Sequence, residues 1–544
     1  MTKYIINLTH GFRGRITISA VSGIIRVAIG LVFVALSKNA VDIATGRAEG
    51  NLALCIAGLI GAVIIELICS AVGSRNTELS EAEMRNTLQE RLFSRVLNST
   101  WDGRESFHSG DMMSRLTEDI RVAAECLCKT FPIIIIALFQ LIGAFLFLWH
   151  FSPSLALVLI LVLPVFMFAG KIFFKKVQRL THRIREIESH VQENMQESLQ
   201  HRVLLLTCQQ TRRTLEAISA LNSSRLDVIR KRTKITVYSR TAVFTGFQSG
   251  YLAAFLWGVI GLRNGTVSYG LMTAYLQLAG QIQRPLAELA RLLPGLIQSH
   301  TSFSRIHTIE QMPVEEELTD SEQTETPHPA GITLSNITFG YKGKEQPIFN
   351  RFNYTFLPGS HTAIMGETGA GKSTLLRLIL ALVKPEEGNI ELFRMENDKR
   401  IPLPVSKSTR SQIVYVPQGN SLLSGTIRKN LLLGNPDATE EEMWDALHTA
   451  AADFVHNLPK GLDTVCGEHG DGLSEGQAQR IAIARGLLRK GSILLLDEVS
   501  ASLDEDTEKL LMQRLKETRG THTVLLVTHR PGVLPYCDAI LRIE

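Results

Sequence analysis

Long apolar runs alternate with charged stretches through the first 311 residues of the chain. Six of these runs are each long enough to cross a bilayer as a helix of about 20 residues; they cover residues 16–37, 52–73, 131–150, 153–175, 242–262 and 271–295. The last two are less apolar, and their polar side chains fit helices that face a protein-lined cavity; these are Gln248, Gln277, Gln281, Gln283 and Arg284. The pattern predicts an all-α transmembrane domain of six helices over residues 1–311.

Basic residues indicate how these helices are oriented. Arg13 and Arg15 precede the first run, and two long stretches, 74–130 and 176–241, are rich in Arg and Lys. The other connections are short and carry few charges; they lie near 38–51, 151–152 and 263–270. Because positively charged loops stay on the cytoplasmic side, we expect both chain termini there.

Helical periodicity continues beyond the apolar runs. Residues 81–98 and 183–206 have apolar positions at helical spacing among charged residues, with no Gly or Pro to interrupt them. This spacing predicts that the helices which contain them are prolonged into the cytosol.

The composition of the chain changes after residue 311. Residues 312–330 are acidic and contain Ser, Thr and Pro, a composition that cannot bury a core and is typical of a linker. Beyond the linker, strand-like and helix-like runs alternate over residues 331–544; they read ITLSNITFGY, HTAIMG, STLLRLILALV, QIVYVPQ, SILLLDE and TVLLVTH. This alternation predicts an α/β domain.

Composition and charge exclude several classes of protein. The chain has 544 residues, and its 57 Lys and Arg against 53 Asp and Glu leave a net charge of +4, too small for a protein that coats nucleic acid. Its seven cysteines are scattered and odd in number, which argues against a complete disulfide framework. The close pair Cys126 and Cys128 could be a redox or metal element, but no second pair or His cluster completes a site, which favours ordinary buried residues. The N-terminus lacks the early apolar core and cleavage site of a signal peptide, so any membrane anchor is expected to be permanent.

A phosphate-binding loop is predicted where the pattern G-x-x-x-x-G-K-[ST] stands between a strand-like and a helix-like run. Its residues are Gly366, Glu367, Thr368, Gly369, Ala370, Gly371, Lys372 and Ser373. Glycines let backbone N–H groups curl around phosphate oxygens, and the start of the helix adds its positive dipole end. Lys372 would neutralise charge on the β- and γ-phosphates, and Ser373 could ligate Mg²⁺. The alternative is a plain glycine-rich turn, which the flanking strand and helix disfavour.

Two carboxylates end the apolar run 492–498. Asp497 and Glu498 would lie at the carboxyl end of a buried strand, where open α/β sheets bind ligands. There Asp497 would hold Mg²⁺, and Glu498 would orient or deprotonate the water that attacks the γ-phosphate. For this segment taken alone, an acidic helix cap is the alternative.

Together with Leu473-Ser474-Glu475-Gly476-Gln477, these motifs resemble the nucleotide-binding domain of ABC transporters. The six spans, linker and ATPase domain, in that order, resemble an ABC half-transporter of the exporter type. The resemblance implies ATP and Mg²⁺ as cofactors. It also implies a second half-transporter chain as partner, because Ser474 and the Gly476 amide would cap the γ-phosphate bound to the other chain's phosphate loop. The resemblance also implies that Gln477 and Thr374 bind the nucleotide.

Four more residues stand where the family has functional side chains, and the resemblance implies their roles. Tyr341 would stack on adenine, and Gln418 would touch Mg²⁺ and the attacking water and couple the site to the membrane domain. Asp504 would cross the dimer interface, and His529 would contact the γ-phosphate. Because Glu498 and His529 are both present, a homodimer would have two competent sites. A heterodimer with a degenerate partner stays open.

Some segments match the family pattern less closely. Glu475 stands where glycine is commonest in the signature, near a phosphate site, and is expected to point away from it. Residues 467–470 resemble the stretch that contacts the partner's intracellular loops, and residues 107–119 resemble the first intracellular loop. Residues 201–214 would form the second coupling element by analogy.

Two charges fall inside predicted spans, Arg26 in the first and Glu66 in the second. Ionisable groups within a membrane tend to face cavities or each other. Counted along the helices, their depths differ by less than the reach of two long side chains, so we expect a mutual ion pair. An accommodated charge without a role in transport is the alternative.

The leading interpretation is ATP-driven export, or outward flipping, of an amphiphile, lipid, drug or peptide by a dimer in a lipid bilayer. A bacterial inner membrane is the expected location, with the ATPase domain and both termini in the cytoplasm. An importer or an ATP-gated conductance on the same architecture is the alternative. A soluble ATPase acting on DNA or ribosomes is disfavoured by the spans, so no nucleic-acid partner is expected. An inactive subunit is disfavoured by the presence of Lys372, Glu498 and His529.

Overall fold

The computed structural model describes residues 8–100, 109–315, 329–341, 346–397, 399–467, 472–517 and 522–543, without the side chains of residues 109, 160–175, 290 and 293. The chain divides into two compact units. One comprises residues 1–94 and 110–311, and the other comprises residues 95–109 and 312–544. Long helices followed by a part with β-sheets confirm the predicted fold class, a multi-domain chain with an all-α membrane domain and an α/β domain.

The N-terminal part of the chain is helical. Its helices are α1 (Arg13–Ala44), α2 (Leu52–Leu97), α3 (Ser109–Ser114), α4 (Ile120–Glu125), α5 (Phe131–Phe151), α6 (Pro153–Gln200), α7 (Arg202–Thr207), α8 (Thr211–Arg263) and α9 (Tyr269–Glu310). Two π-helical turns, Arg115–Asp119 and Cys126–Thr130, join α3, α4 and α5 into one continuous helical segment.

Within the described residues, four helices are long and apolar enough to cross a membrane. They are Arg13–Ala44, Leu52–Leu97, Gly110–Phe151 and Thr211–Arg263. The other two predicted spans lie within α6 and α9. In α6 the side chains of residues 160–175 are outside the described part of the chain. The number of six spans therefore stays a prediction.

The helix predicted over residues 81–98 forms as the last part of α2, which ends at Leu97, but the helix predicted over 183–206 is interrupted. Helix α6 ends at Gln200, and His201, with φ −104° and ψ 26°, separates it from α7. The apolar spacing continues through this point, so periodicity alone could not reveal the break.

The predicted ion pair between Arg26 and Glu66 is wrong. Both side chains are exposed on the surface of the protein, and no ion pair joins them within the described residues. Equal depth along α1 and α2 does not by itself bring two side chains together. The rotation of each helix about its own axis also decides which way a side chain points, and here it turns both charges outward.

Two glutamines of α9 bind the backbones of neighbouring helices. Gln281 Nε2 donates to the Gly30 carbonyl oxygen of α1 at 3.3 Å, and Gln283 Nε2 donates to the Phe247 carbonyl oxygen of α8 at 3.0 Å. In an apolar environment such amides are costly to leave unpaired. These side chains, which the sequence suggested for a cavity wall, therefore bind α9 to its neighbouring helices.

Asp42 near the end of α1 caps the start of α9. Its Oδ1 accepts a 3.0 Å hydrogen bond from the Gly270 N–H, and its Oδ2 lies 3.4 Å from the Lys38 ammonium. The first N–H groups of a helix have no carbonyl partner within it. The buried Asp42 carboxylate, which belongs to another helix, therefore accepts the hydrogen bond of one of these N–H groups.

The C-terminal part contains the β-sheets. Its strands are β1 (Gly331–Phe339), β2 (Phe349–Phe356), β3 (His361–Gly366), β4 (Glu387–Glu396), β5 (Lys399–Pro404), β6 (Ile413–Val416), β7 (Gly425–Thr426), β8 (Val465–Cys466), β9 (Ile493–Asp497), β10 (Thr523–Val527) and β11 (Ala539–Ile543). One antiparallel sheet has the order β2-β1-β4-β5, and one parallel sheet has the order β11-β3-β10-β9-β6. Strands β7 and β8 form a two-stranded ribbon.

Helices cover both faces of the parallel sheet. They are α10 (Lys372–Ile379), α11 (Ile427–Leu432), α12 (Glu440–Thr449), α13 (Glu475–Leu488) and α14 (Glu505–Glu517). Every residue of β9 is buried. Ile493 and Leu495 pack in the core that contains α10, whereas Leu494 and Leu496 pack in the core that contains α12 and α13. This alternation explains why the strand is apolar at every position before Asp497.

The described beginning of the predicted linker is bound within the second unit. Arg410 donates two parallel hydrogen bonds to the Glu315 carboxylate, at 2.7 and 2.8 Å. The Glu315 N–H donates to the Asn98 carbonyl oxygen at 2.9 Å, and Thr100 N–H donates to that of Pro313 at 2.9 Å. Residues 312–315 are therefore held by side-chain and backbone contacts.

Candidate nucleotide site

The candidate residues emerge at one edge of the parallel sheet. Val527 of β10 pairs with both Asp497 of β9 and Ile364 of β3; β9 and β10 end at this level, and β3 continues for two residues to Gly366. Val416 of β6 pairs with Leu496 of β9. The segments that follow these strands carry the phosphate loop, Gln418, Glu498 and His529. The carboxyl edge of adjacent parallel strands is where open α/β sheets bind ligands.

The phosphate loop needs glycine for two different reasons. Gly369 and Gly371 have φ values of +93° and +104°, which L side chains adopt only with strain. At Gly371, in addition, a Cβ would lie 2.5 Å from Ile348 Cγ2. The loop ends where α10 begins at Lys372, so the unpaired N–H groups of the first helical turn are at the loop.

Lys372 folds back onto the phosphate loop. Its Nζ donates to the carbonyl oxygens of Gly366 at 2.8 Å and Glu367 at 2.9 Å, and the residue is buried. These bonds hold a positive charge within the loop beside the N-terminus of α10. Both features favour an anion, and together they fit the phosphates of a nucleotide.

The Glu498 carboxylate is held between two side chains. Gln418 Nε2 donates to Oε2 at 2.7 Å, and His529 Nε2 lies 3.2 Å from Oε1. Glu498 has a φ of +48°, an unusual value for a residue with a Cβ. Its N–H donates to the Val527 carbonyl oxygen at 3.1 Å, which fixes this conformation at the strand end. The structure thus brings together Gln418, Glu498 and His529.

Asp497, which directly precedes Glu498, is buried, and Tyr415 contacts the Asp497 carboxylate. The Tyr415 hydroxyl donates to Asp497 Oδ2 at 3.3 Å. Burial raises the pKa of Asp497 above its usual value, and the charge of Glu498 adds to the effect, while the Tyr415 hydrogen bond and the charges of Arg377 and Lys372 oppose it. Desolvation and the negative charge of Asp497 raise the pKa of Tyr415 to about 12. A nearby cation would therefore stabilise the ionised form of Asp497.

Tyr341 is bound through its hydroxyl to the helix that follows the phosphate loop. Arg377 Nη1 donates to this hydroxyl at 3.0 Å, and Thr374 Oγ1 lies 3.4 Å from it. The ring also packs edge-on against Phe339, with ring centroids 5.1 Å apart. These contacts attach a candidate base-stacking ring to the loop that would hold the phosphates.

The signature residues form the start of α13. Ser474 is its N-cap: Ser474 Oγ accepts from the Gln477 N–H at 3.2 Å, and Gln477 Oε1 accepts from the Ser474 N–H at 3.0 Å. Glu475 follows as the first helical residue with an exposed side chain. A Cβ on Gly476 would lie 2.8 Å from the Ser502 carbonyl oxygen, so glycine allows α13 to approach the segment after Glu498 closely.

Asp504 caps the first turn of α14. Its Oδ2 accepts from the Thr507 N–H at 3.0 Å, and this hydrogen bond holds the pKa of the Asp504 carboxyl below its usual value. In the described part of the chain, no hydrogen bond or ion pair joins Ser474, Gly476 or Asp504 to the phosphate loop.

Two of the predicted coupling segments lie partly outside the described residues. Residues 468–470 of the predicted 467–470 stretch, and 107–108 of the predicted first intracellular loop, lie outside the described residues. The short helix α7 falls within the predicted second coupling element, and Val203, Leu204 and Leu206 are exposed on it. Sequence reasoning missed Tyr415 and Arg377. The only signal for Tyr415 was a polar hydroxyl inside the otherwise apolar run before Gln418.

Two family models match this chain. Residues 16–286 match the model described as ABC transporter transmembrane region, and residues 349–501 match the model described as ABC transporter. The two matches have the order that the sequence predicted, with the transmembrane region first.

Curated relatives and a solved structure match over most of the chain. The ATP-dependent lipid A-core flippase of Vibrio cholerae is 25% identical over 541 residues, which are 98% of this chain and 91% of the flippase. The leukotoxin translocation ATP-binding protein LktB of Mannheimia haemolytica is 28% identical over 505 residues, 92% of this chain and 70% of that protein. The structure of a bacterial Atm1-family ABC exporter with ATP bound matches with a TM-score of 0.79 and 23% identity, covering 98% of this chain and 93% of that one. At this identity the structural match shows the fold.

Proposed function

Because this chain belongs to the ABC transporter family, as an exporter-type half-transporter that couples ATP hydrolysis to transport, we propose that two copies of it export an amphiphilic substrate across a membrane. The observation that carries the hydrolytic part is the Glu498 carboxylate held between Gln418 and His529. An acid fixed by two neighbours at the sheet edge is positioned to bind a water molecule beside a nucleotide on the phosphate loop.

In this proposal each side chain at the sheet edge has one task. Lys372 and the N–H groups of residues 366–373 bind the phosphates, and Tyr341 stacks on the adenine. Glu498 orients the attacking water and accepts its proton. His529 donates a hydrogen bond to the γ-phosphate. Gln418, which contacts Glu498, responds to the occupancy of the site.

Mg²⁺ fits the donor set of this site. Ser373, Asp497 and Gln418 offer a hydroxyl, a carboxylate and an amide oxygen, the hard oxygen ligands that Mg²⁺ takes together with waters and phosphates. The raised pKa of the buried Asp497 carboxyl supports the same assignment, because a cation relieves the cost of its charge. When bound, Mg²⁺ would neutralise charge on the β- and γ-phosphates.

A second chain would complete the site. In the described residues, no hydrogen bond or ion pair joins Ser474, Gly476 or Asp504 to their own phosphate loop, which is consistent with their binding the nucleotide of a partner chain. A homodimer is the simplest assembly, because Glu498 and His529 are both present and each of two sites would be competent. A heterodimer with a degenerate partner is the alternative.

The composition of the predicted spans supports the proposed substrate class. The relatives named above act on different cargo by name, a lipid in one case and a toxin in the other. The predicted spans mix apolar and polar side chains without a run of charge, which favours an amphiphile, lipid, drug or peptide over a strongly ionic ligand. We propose a bacterial inner membrane, with the ATPase domain and both termini in the cytoplasm.

Hydrolysis is tested with the purified chain in lipid nanodiscs. Mg²⁺-dependent ATP hydrolysis is compared among the unmodified protein, Glu498→Gln and the matched control Glu441→Gln, which changes an exposed acid in the first turn of α12. We expect Glu498→Gln to lose turnover and keep ATP binding, and Glu441→Gln to resemble the unmodified protein. Equal hydrolysis by all three proteins would contradict the role of Glu498.

Direction is tested in sealed proteoliposomes with a fluorescent phospholipid and an amphiphilic dye as probes. ATP added outside reaches only the molecules whose ATPase domains face outward. Export then predicts ATP-dependent gain of the probe by the lumen or the inner leaflet, absent with Glu498→Gln. ATP-dependent loss of probe from the lumen would indicate an importer, and an ATP-dependent ion current would indicate a conductance.

A further inference from the structure

Arg530 links two segments of the candidate site by hydrogen bonds. It lies in the loop that carries His529, and it binds the turn 501–504, which follows Glu498 in the chain. Its Nη1 donates to the Leu503 carbonyl oxygen at 2.8 Å, and its Nη2 donates to that of Ala501 at 2.9 Å. The planar guanidinium is a rigid fork, and here its two nitrogens bind carbonyls two residues apart. A lysine at this position has one ammonium and could not bind both in the same way.

A buried acid balances the charge of Arg530. Glu508 Oε2 on α14 lies 3.6 Å from Arg530 Nη1, and the Glu508 side chain is only 7% exposed. Buried carboxylates are costly without a cation nearby. The Arg530 guanidinium thus binds the turn and lies beside a buried carboxylate at the same time.

The turn 501–504 contacts two candidate functional residues, Glu498 and Gly476, and contains a third, Asp504. At its beginning, the Ala501 N–H donates to the Glu498 carbonyl oxygen at 3.1 Å. In its middle, the Ser502 carbonyl lies against Gly476 of the signature. At its end, Asp504 caps α14. Movement of this turn would therefore displace groups at Glu498, at the signature and at the proposed dimer interface together.

We propose that Arg530 is a positioning residue for ATP hydrolysis, which sets the place of Asp504 relative to His529 and Glu498. His529 contacts Glu498, Glu498 leads into the turn, and Arg530, the residue directly after His529, binds the turn. This closed loop of contacts makes the three groups move as one. The inference rests on the proposed dimeric ATP hydrolysis, because Asp504 acts there on the partner's nucleotide.

The kinetic test compares Arg530→Lys with a matched control, Arg514→Lys. Arg514 lies on α14 and likewise binds a backbone carbonyl, that of His448, and a carboxylate, that of Asp453, but at the other end of the helix. For the full chain in nanodiscs, we expect Arg530→Lys to lower kcat by roughly ten- to a hundredfold, the range that small misplacements produce, and to leave ATP affinity within about twofold. Arg514→Lys should keep kcat within about twofold of the unmodified protein.

A double-mutant cycle separates positioning from general stability. Asp504→Asn keeps an oxygen that can cap Thr507 but removes the charge that Arg530 is proposed to place. If Arg530 acts through Asp504, Arg530→Lys should reduce kcat much less in the Asp504→Asn background than alone. Losses in kcat that multiply would overturn the inference, as would unchanged kcat in Arg530→Lys.

Hydrogen exchange gives a readout that needs no turnover. Arg530→Lys should increase amide exchange in peptides that cover residues 500–507, while Arg514→Lys should increase it around residues 448–453. Unchanged exchange at 500–507 would contradict the inference even if kcat fell. An unmodified chain without ATPase activity would contradict the proposed function instead, and the exchange comparison would still decide whether Arg530 holds the turn.

Discussion

The side-chain amide of Gln418 donates a 2.7 Å hydrogen bond to Oε2 of Glu498, although 80 positions separate the two residues in the chain. Gln418 follows β6 by two residues and Glu498 directly follows β9, and these strands are parallel neighbours with Val416 opposite Leu496. The contact is therefore a consequence of strand order. It makes the orientation of the proposed catalytic carboxylate depend on a residue of another segment.

Shortening Gln418 by one methylene tests this dependence. In Gln418→Asn the amide can no longer reach Glu498, so we expect kcat for ATP hydrolysis to fall roughly tenfold or more. The melting temperature should stay the same, because Gln418 is exposed. Gln513→Asn, an exposed change of the same kind on α14, serves as the control. Equal kcat in all three proteins would show that the contact does not orient Glu498.

Two glycines of the phosphate loop are expected to differ in tolerance to alanine. Gly369→Ala meets no atom within 4 Å, so it should cost only the strain of its positive φ, about 1–2 kcal/mol. Gly371→Ala adds a clash with Ile348 to a similar strain. Thermal unfolding without nucleotide should therefore show the larger loss for Gly371→Ala, at about 2–4 °C per kcal/mol. A stability loss for Gly369→Ala that equals or exceeds the loss for Gly371→Ala would contradict this reasoning.

The Glu315–Arg410 pair predicts an acid-dependent loss of stability. Arg410 holds the pKa of the Glu315 carboxyl below its usual value of 4.5. The folded state then binds fewer protons than the unfolded chain near this pH. The pair therefore stabilises the second unit at neutral pH, and this contribution is lost as the pH falls below 4.5 through the lowered pKa.

Glu315→Gln measures this contribution. We expect a loss of about 1–2 kcal/mol at pH 7, since a two-bond charged contact is replaced by a weaker neutral one. The difference from the unmodified protein should shrink as thermal unfolding is repeated at decreasing pH. Glu396→Gln, which breaks the more exposed pair with Arg394, should change stability by less than about 0.5 kcal/mol. A difference for Glu315→Gln that is constant with pH would contradict the assignment.

The start of α9 should not accept a side chain at Gly270. A Cβ there would overlap the Lys38 carbonyl oxygen and lie 2.6 Å from Asp42 Oδ1. Gly270→Ala should break the hydrogen bond to Asp42 and lower the apparent melting temperature by several degrees, at about 2–4 °C per kcal/mol. Gly280→Ala in the same helix meets nothing within 4 Å and should be neutral or stabilising. Equal effects of the two substitutions on melting in detergent would refute the proposed close packing.

The predictions that held are those that depend on short stretches of sequence. The strand-like run 492–498 forms β9 and the motif at residues 366–373 forms a loop between β3 and α10. Strand periodicity, glycine at positive φ and the start of a helix are each properties of a few adjacent residues. The Arg26–Glu66 pair failed because it required the rotation of two helices, and the break at His201 was missed because apolar spacing continues across it.

By itself, the sequence determined the order of helical and α/β segments, the glycine-rich loop after β3 and the two acids at the end of β9, because these are patterns of a few adjacent residues. Only the tertiary structure decided which distant side chains meet: Gln418 with Glu498, Tyr415 with Asp497, and Arg530 with the turn 501–504. Those contacts depend on strand order and on the packing of alternate faces of β9 into two cores. Such packing is a sum of many weak long-range contacts, and no short segment of the chain encodes it.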